Sequence, residues 1–139
     1  MSELQTGGCL CGAVRFTAQA ADHFHACHCD SCKRWSGGVY LGVDVGDSLN
    51  VEDDASLSYY NSSAWAKRGF CKLCGSTLFW SAPDFGVMYV AYNAFDVAPK
   101  GEFQQELYID KKPSAYSFAQ STQQMTKAEV EAMFAGDNG

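Results

Sequence analysis

Seven cysteines fall into three tight groups, and none stands alone: Cys9-Leu10-Cys11, Cys27-His28-Cys29-Asp30-Ser31-Cys32 and Cys71-Lys72-Leu73-Cys74. Thiolates two or three positions apart reach a single ion as the chain curls around it, so these are metal-ligand spacings. An odd number of thiols cannot all pair internally as disulfides. A structural zinc takes four protein ligands and is closed, whereas a catalytic zinc typically takes three and keeps one position open. Seven divides into four and three, which points to one closed site and one open site.

The partition follows from position. Cys9-Leu10-Cys11 and Cys71-Lys72-Leu73-Cys74 are each followed at once by glycine, Gly12 and Gly75. A residue without Cβ lets backbone N–H groups turn toward the sulfurs. The two pairs lie far apart in the chain, so one shared ion would close a long loop and contribute folding energy directly. We therefore assign Cys9, Cys11, Cys71 and Cys74 to the closed zinc. Cys27, Cys29 and Cys32 form a compact triad able to cap one face of a second Zn²⁺, the candidate catalytic centre. Two blander readings stand beside it. One of the three completes a different structural site while the others are buried thiols, or the thiols ligate an iron–sulfur cluster, which seven ligands suit poorly. His28 lies between two ligands, and neighbours in an extended chain point oppositely. It is either a structural support for the ligands or a proton shuttle at the open site.

The formal net charge is −6, which argues against nonspecific nucleic-acid binding, a matter of phosphate neutralisation. Basic residues nonetheless gather beside the ligands: Lys33 and Arg34 after Cys32, Lys67 and Arg68 before Cys71, Lys72 within the last pair. They either offset thiolate charge or recognise an acidic small substrate, with Lys33 and Arg34 as the candidate substrate contacts.

The chain of 139 residues, with 47% hydrophobic and 19% charged residues, reads as one globular domain spanning residues 1–139. No apolar run approaches the roughly 20 residues of a membrane span. Met1–Thr6 lacks the basic flank and apolar stretch of a secretory signal, so a cytoplasmic location is expected. Short runs rich in aromatic and β-branched residues predict strands: Val14–Phe16, Val39–Val43, Leu57–Tyr60, Thr77–Trp80, Val87–Val90 and Glu106–Ile109. These predict a mainly β protein of short antiparallel strands. Thr126 with Glu129 three residues on, followed by Val130, Met133 and Phe134, predicts a C-terminal helix over about 127–135, stopped at Gly136.

Taken together, Gly7-Gly8-Cys9-Leu10-Cys11-Gly12-Ala13-Val14-Arg15-Phe16, Cys27-His28-Cys29-Asp30-Ser31-Cys32-Lys33-Arg34 and Arg68-Gly69-Phe70-Cys71-Lys72-Leu73-Cys74-Gly75-Ser76 resemble the glutathione-dependent formaldehyde-activating enzyme family. The resemblance covers roughly residues 5 to 115. It implies an Mss4-like β-tent with two zinc sites partitioned as above. It also implies condensation of formaldehyde with glutathione to S-(hydroxymethyl)glutathione, formally a carbon–sulfur lyase reaction. The family's closing strand often begins with His and carries Trp after a proline. Here Glu106 and Ser114 or Ala115 stand at those positions, so a differently lined pocket is expected.

The expected function is a zinc-dependent carbon–sulfur lyase acting on an adduct of an aldehyde and a small-molecule thiol such as glutathione. The rival is a noncatalytic zinc-binding β-tent that binds partners or acts like a chaperone, for which the four-cysteine site would suffice. A thiol redox enzyme would need a reactive cysteine beyond the ligands, and the chain has no eighth. Neither nucleic acid nor membrane is an expected partner, and the sequence leaves the oligomeric state open.

Overall fold

The computed structural model describes residues 3–138. In chain order its elements are β1 (Leu4–Gly8), β2 (Arg15–Gln19), β3 (His23–Cys27), α1 (Asp30–Ser36), β4 (Tyr40–Asp44), β5 (Asn50–Val51) and β6 (Leu57–Asn61), followed by β7 (Lys67–Cys71), β8 (Thr77–Ala82), β9 (Val87–Ala91), β10 (Glu102–Leu107), β11 (Gln123–Met125) and α2 (Lys127–Asn138). The architecture is mainly β, as the aromatic and β-branched runs predict. Strands β1, β2 and β5 form one sheet, and the other eight form a second in the order β11-β10-β3-β4-β9-β8-β7-β6. The larger sheet is mixed rather than purely antiparallel, because β10 runs parallel to both β3 and β11.

The two sheets share one core. Phe16 of the small sheet meets Phe79 of the large one edge to face, at 5.5 Å between ring centroids, and Phe95 at 5.4 Å. Val14, Ala18, Val43, Leu78 and Val90 fill the space around these rings, and the cysteines Cys9 and Cys71 belong to the same buried cluster. Arg15 reaches from β2 to Asp96, and its guanidinium, with help from Thr6, holds the Asp96 carboxyl down at about 2.

Helix α2 begins as the sequence predicts. The Thr126 N–H donates to Glu129 Oε1 at 2.8 Å, and the Glu129 N–H donates back to Thr126 Oγ1, a reciprocal capping box. It runs past Gly136 to Asn138, so the glycine expected to end it does not. Helix α1 starts inside the cysteine triad, a helix not among those predicted from the residues. Its cap is Cys29, whose sulfur accepts the Cys32 N–H at 3.2 Å, and it ends at Gly37 in the left-handed region with φ 77°. Asp30 in its first turn and Lys33 and Arg34 in its last suit the helix dipole.

Close packing at Gly7 joins the sheets beneath the first cysteine pair. A Cβ there would stand 2.4 Å from the Ala94 carbonyl oxygen and 2.4 Å from the Phe16 ring. Gly7→Ala is accordingly expected to destabilise the protein by about 1–3 kcal/mol through overpacking against backbone, read as a lowered denaturant midpoint with an unchanged slope.

Candidate metal centre

The turn after β1 and the turn between β7 and β8 bring Cys9 and Cys11 against Cys71 and Cys74, with all four sulfurs within 4.8 Å of one another. A tetrahedron with Zn–S bonds of about 2.3 Å has S···S edges of about 3.8 Å. The Cys9–Cys11 and Cys11–Cys71 separations are 3.6 and 3.8 Å, so the four sulfurs fit a tetrahedral ion. The surrounding backbone serves the sulfurs: the Val14 N–H donates to Cys9 Sγ at 3.2 Å, and the Leu10 N–H donates to the Ser76 hydroxyl, itself 3.2 Å from Cys74 Sγ. That hydroxyl, with the backbone N–H groups of Cys11 and Ser76, holds the Cys74 thiol down at about 5. Cys9 and Cys71 are buried but Cys11 is exposed. The cluster is therefore complete in ligands while reaching the surface.

Cys27, Cys29 and Cys32 form the second cluster, their sulfurs likewise within 4.8 Å of one another. Cys27 ends β3, Cys29 caps α1 and Cys32 sits one helical turn later. The turn from strand into helix is what aims three thiols at one point. Arg68 on β7 donates from Nη1 to Cys32 Sγ at 3.4 Å and lies over the Trp35 ring at 5.0 Å. A buried guanidinium beside thiolates offsets their charge. Hydrogen bonds from Cys27 and Cys32 hold the Cys29 thiol well below the ordinary thiol range. Both donor sets consist of soft thiolates, which suit zinc or iron–sulfur sites, and both clusters could hold a metal ion.

The triad closes one end of a cavity of about 280 Å³, whose walls include Tyr40, Trp65, Arg68, Trp80, Tyr89, Tyr108 and, from α2, Val130, Met133 and Phe134. Trp80 stacks on Tyr89 at 5.4 Å, and Phe134 lies 4.8 Å from Trp65 and 5.1 Å from Phe85. Tyr108 has φ 58°, the only positive φ of any non-glycine among the described residues. Such a backbone costs on the order of 1–3 kcal/mol and collects at functional sites. Burial, with the three cysteines nearby, pushes the Tyr108 hydroxyl well up, so it stays a donor. The tyrosine hydroxyls that hydrogen-bond within the described residues belong to Tyr40 and Tyr92.

Of the candidate residues named from sequence, the seven cysteines come together as two sets. His28 does not join the cavity. It is wholly buried, and its Nε2 donates to Glu106 Oε1 at 2.9 Å, while Thr122 donates to Glu106 Oε2 at 2.6 Å. Burial raises the Glu106 carboxyl, but the Thr122 and His28 bonds outweigh it and hold the group below its ordinary range. The Glu106 position that departs from the family's closing strand is thus the anchor for His28. Lys33 and Arg34 do not line the cavity either. Lys33 Nζ donates to the Lys111 carbonyl at 2.6 Å and approaches Asp30 at 3.6 Å, and Arg34 is exposed. Arg68, Lys111 and Lys127 line it instead. No short motif marks them; only strand pairing and the return of α2 place them there.

A β-tent carrying two thiol clusters that could each hold a metal defines the class of protein. The sequence profile of the glutathione-dependent formaldehyde-activating enzymes matches residues 4–111, and the chain belongs to that family. It is 32% identical over 127 residues to an uncharacterised lyase of Schizosaccharomyces pombe, covering 89% of this chain and 92% of the relative. It is 30% identical over 122 residues to a Halomonas elongata protein whose name assigns it provisionally to the glutathione-dependent formaldehyde-activating enzymes, covering 79% and 78%. The crystal structure of a Rhodobacter sphaeroides protein superposes with a TM-score of 0.55 at 25% identity, over 71% of this chain and 99% of that one. Among the described residues no helix is long and apolar enough to cross a membrane.

Structural metal sites in small domains contribute about 10–16 kcal/mol of apparent binding energy, comparable to the whole stability of about 5–15 kcal/mol of an ordinary domain. Cys71 is fully buried in the core that joins the sheets. Cys71→Ser is therefore expected to abolish cooperative thermal unfolding and to lose one metal per chain, read by circular dichroism with elemental analysis.

Proposed function

We propose that the chain is a zinc-dependent carbon–sulfur lyase of the formaldehyde-activating type, acting on the adduct of an aldehyde with a low-mass thiol, of which glutathione is the family's namesake. Cys27, Cys29 and Cys32 hold the catalytic zinc, and Cys9, Cys11, Cys71 and Cys74 hold the structural one. The observation that carries this reading is the convergence of three thiols at the end of a cavity, apart from a four-thiol set that is already complete. A noncatalytic zinc module needs only the four-thiol set and leaves both triad and cavity without a role. Seven unpaired cysteines suit the reducing cytoplasm.

The condensation forms one carbon–sulfur bond, opens the carbonyl double bond and moves the thiol proton to the carbonyl oxygen, with no redox change. Zinc at the triad supplies stabilisation of a thiolate near neutral pH. Arg68 balances the charge of the three ligands from β7. The aromatic walls present low-polarity surface to the reacting groups, and polar contacts made against such surface are screened less than in water. Tyr108 donates a hydrogen bond to the adduct oxygen, where negative charge develops as the bond forms. His28, locked to Glu106, holds the ligand segment in place, and Lys33, bonded to the Lys111 carbonyl, ties α1 to the turn that follows β10.

Two substitutions test this with formaldehyde and a panel of low-mass thiols, scored above the uncatalysed rate. Cys29→Ser is expected to lose turnover and one zinc per chain while circular dichroism shows the β fold intact. Full activity in that variant sinks the assignment of the triad. Tyr108→Phe is expected to keep both zincs and the fold but lower kcat about 100-fold, the cost of one such donor. An unchanged kcat would remove Tyr108 from the mechanism.

A further inference from the structure

We propose that the thiol taken by this site carries an apolar, ring-bearing substituent seated against the aromatic wall that α2 brings over the cavity, so that the chain favours an arylalkyl thiol over the glutathione for which its family is named. This rests on the reading of the triad as a site for thiol–aldehyde adducts and narrows its substrate class. Beyond the sulfurs the wall is Trp65, Trp80, Val130, Met133 and Phe134. Trp65, Trp80 and Phe134 approach one another within 4.8 to 6.4 Å between centroids, a cluster that offers ring faces and edges to a guest rather than hydrogen bonds.

Charge argues the same way. Glutathione brings two carboxylates and one ammonium, and a chain of net charge −6 needs a surplus of cations at the site to attract it. Arg68 is engaged by Cys32 and Trp35. The lining's other two cations, Lys111 and Lys127, are equalled in number by its two carboxylates, Asp30 and Glu131, so the lining carries no cationic surplus beyond the engaged Arg68. Size agrees: at about 280 Å³ the cavity lies just below the roughly 300–1,000 Å³ of ordinary ligand pockets, and suits one ring on a short chain better than an extended tripeptide. The α2 part of the wall also lies C-terminal to residues 4–111, the span matched by the family profile.

The test uses the full-length, zinc-loaded protein with benzyl mercaptan, 2-mercaptoethanol and glutathione. Binding is read from tryptophan emission, since Trp65 and Trp80 line the cavity, and adduct formation with formaldehyde is followed separately. Benzyl mercaptan is expected to bind at least tenfold tighter than either other thiol. Phe134→Ala is expected to cut its preference over 2-mercaptoethanol about tenfold, within the range for removing apolar contact in a pocket. Phe134→Leu keeps apolar bulk on α2 while deleting the ring, and should cut the preference threefold or more with the helix signal unchanged. Glutathione binding as tightly as benzyl mercaptan, or an unaltered preference in Phe134→Leu, overturns the inference. The two readings fail differently. Ring preference without turnover of any thiol refutes the lyase and leaves this inference standing, whereas turnover of glutathione without ring preference refutes this inference alone.

Discussion

Everything in the fold hangs on the meeting of two thiol pairs that the chain keeps far apart. Cys9 and Cys11 follow the first strand, Cys71 and Cys74 sit at the β7–β8 turn, and Cys9 and Cys71 are packed into the cluster built on Phe16 and Phe79. Four thiolates gathered without a cation would repel one another in a medium that screens them poorly. The same residues with a cation become the joint between the two sheets. Hydrophobic packing and the four thiols that could ligate a metal thus meet at one place.

That joint positions the second cluster indirectly. Strand β7 ends at Cys71 and carries Arg68 three residues earlier, so the segment tied down by the four-thiol set also delivers the cation that faces Cys32. Strand β10 does comparable work from the other side. Its parallel pairing with β3 puts Leu107 opposite Cys27, the Leu107 carbonyl accepts the His28 N–H at 2.9 Å, and the next residue, Tyr108, turns into the left-handed region beside the cavity. The triad is held between two strands anchored elsewhere.

Much of this was legible in the residues. The grouping of seven cysteines into four and three needs only ligand spacing, and the aromatic runs mark several of the strands. The capping pair Thr126 and Glu129 announces α2. What escaped has a physical reason in each case. Helix α1 is not among the elements predicted from the residues because a thiol is not an ordinary helix cap, although Asp30, Lys33, Arg34 and Gly37 together carry a helix signature. The parallel placement of β10 has no local signal, since pairing partners are chosen by tertiary contact. Lys33 and Arg34 looked like substrate contacts from their nearness in sequence to Cys32, but one turn of helix carries them away from the cavity. Arg68, remote in sequence, arrives through strand pairing. The wall from Trp65 to Phe134 joins a loop to the C-terminal helix, a proximity no spacing rule foretells.

Cys29 holds two posts at once: its sulfur is one of three that could grip an ion, and it also accepts the Cys32 N–H that starts α1. The first turn of a seven-residue helix, too short to stand by its own propensity, is thereby linked to occupancy of the site. Anything that binds the assembled triad stabilises that turn by mass action, and anything that unwinds the turn scatters the ligands. Local secondary structure and metal affinity at this position are two readings of a single equilibrium, so the amide of Cys32 should exchange with solvent at a rate set by how fully the site is occupied.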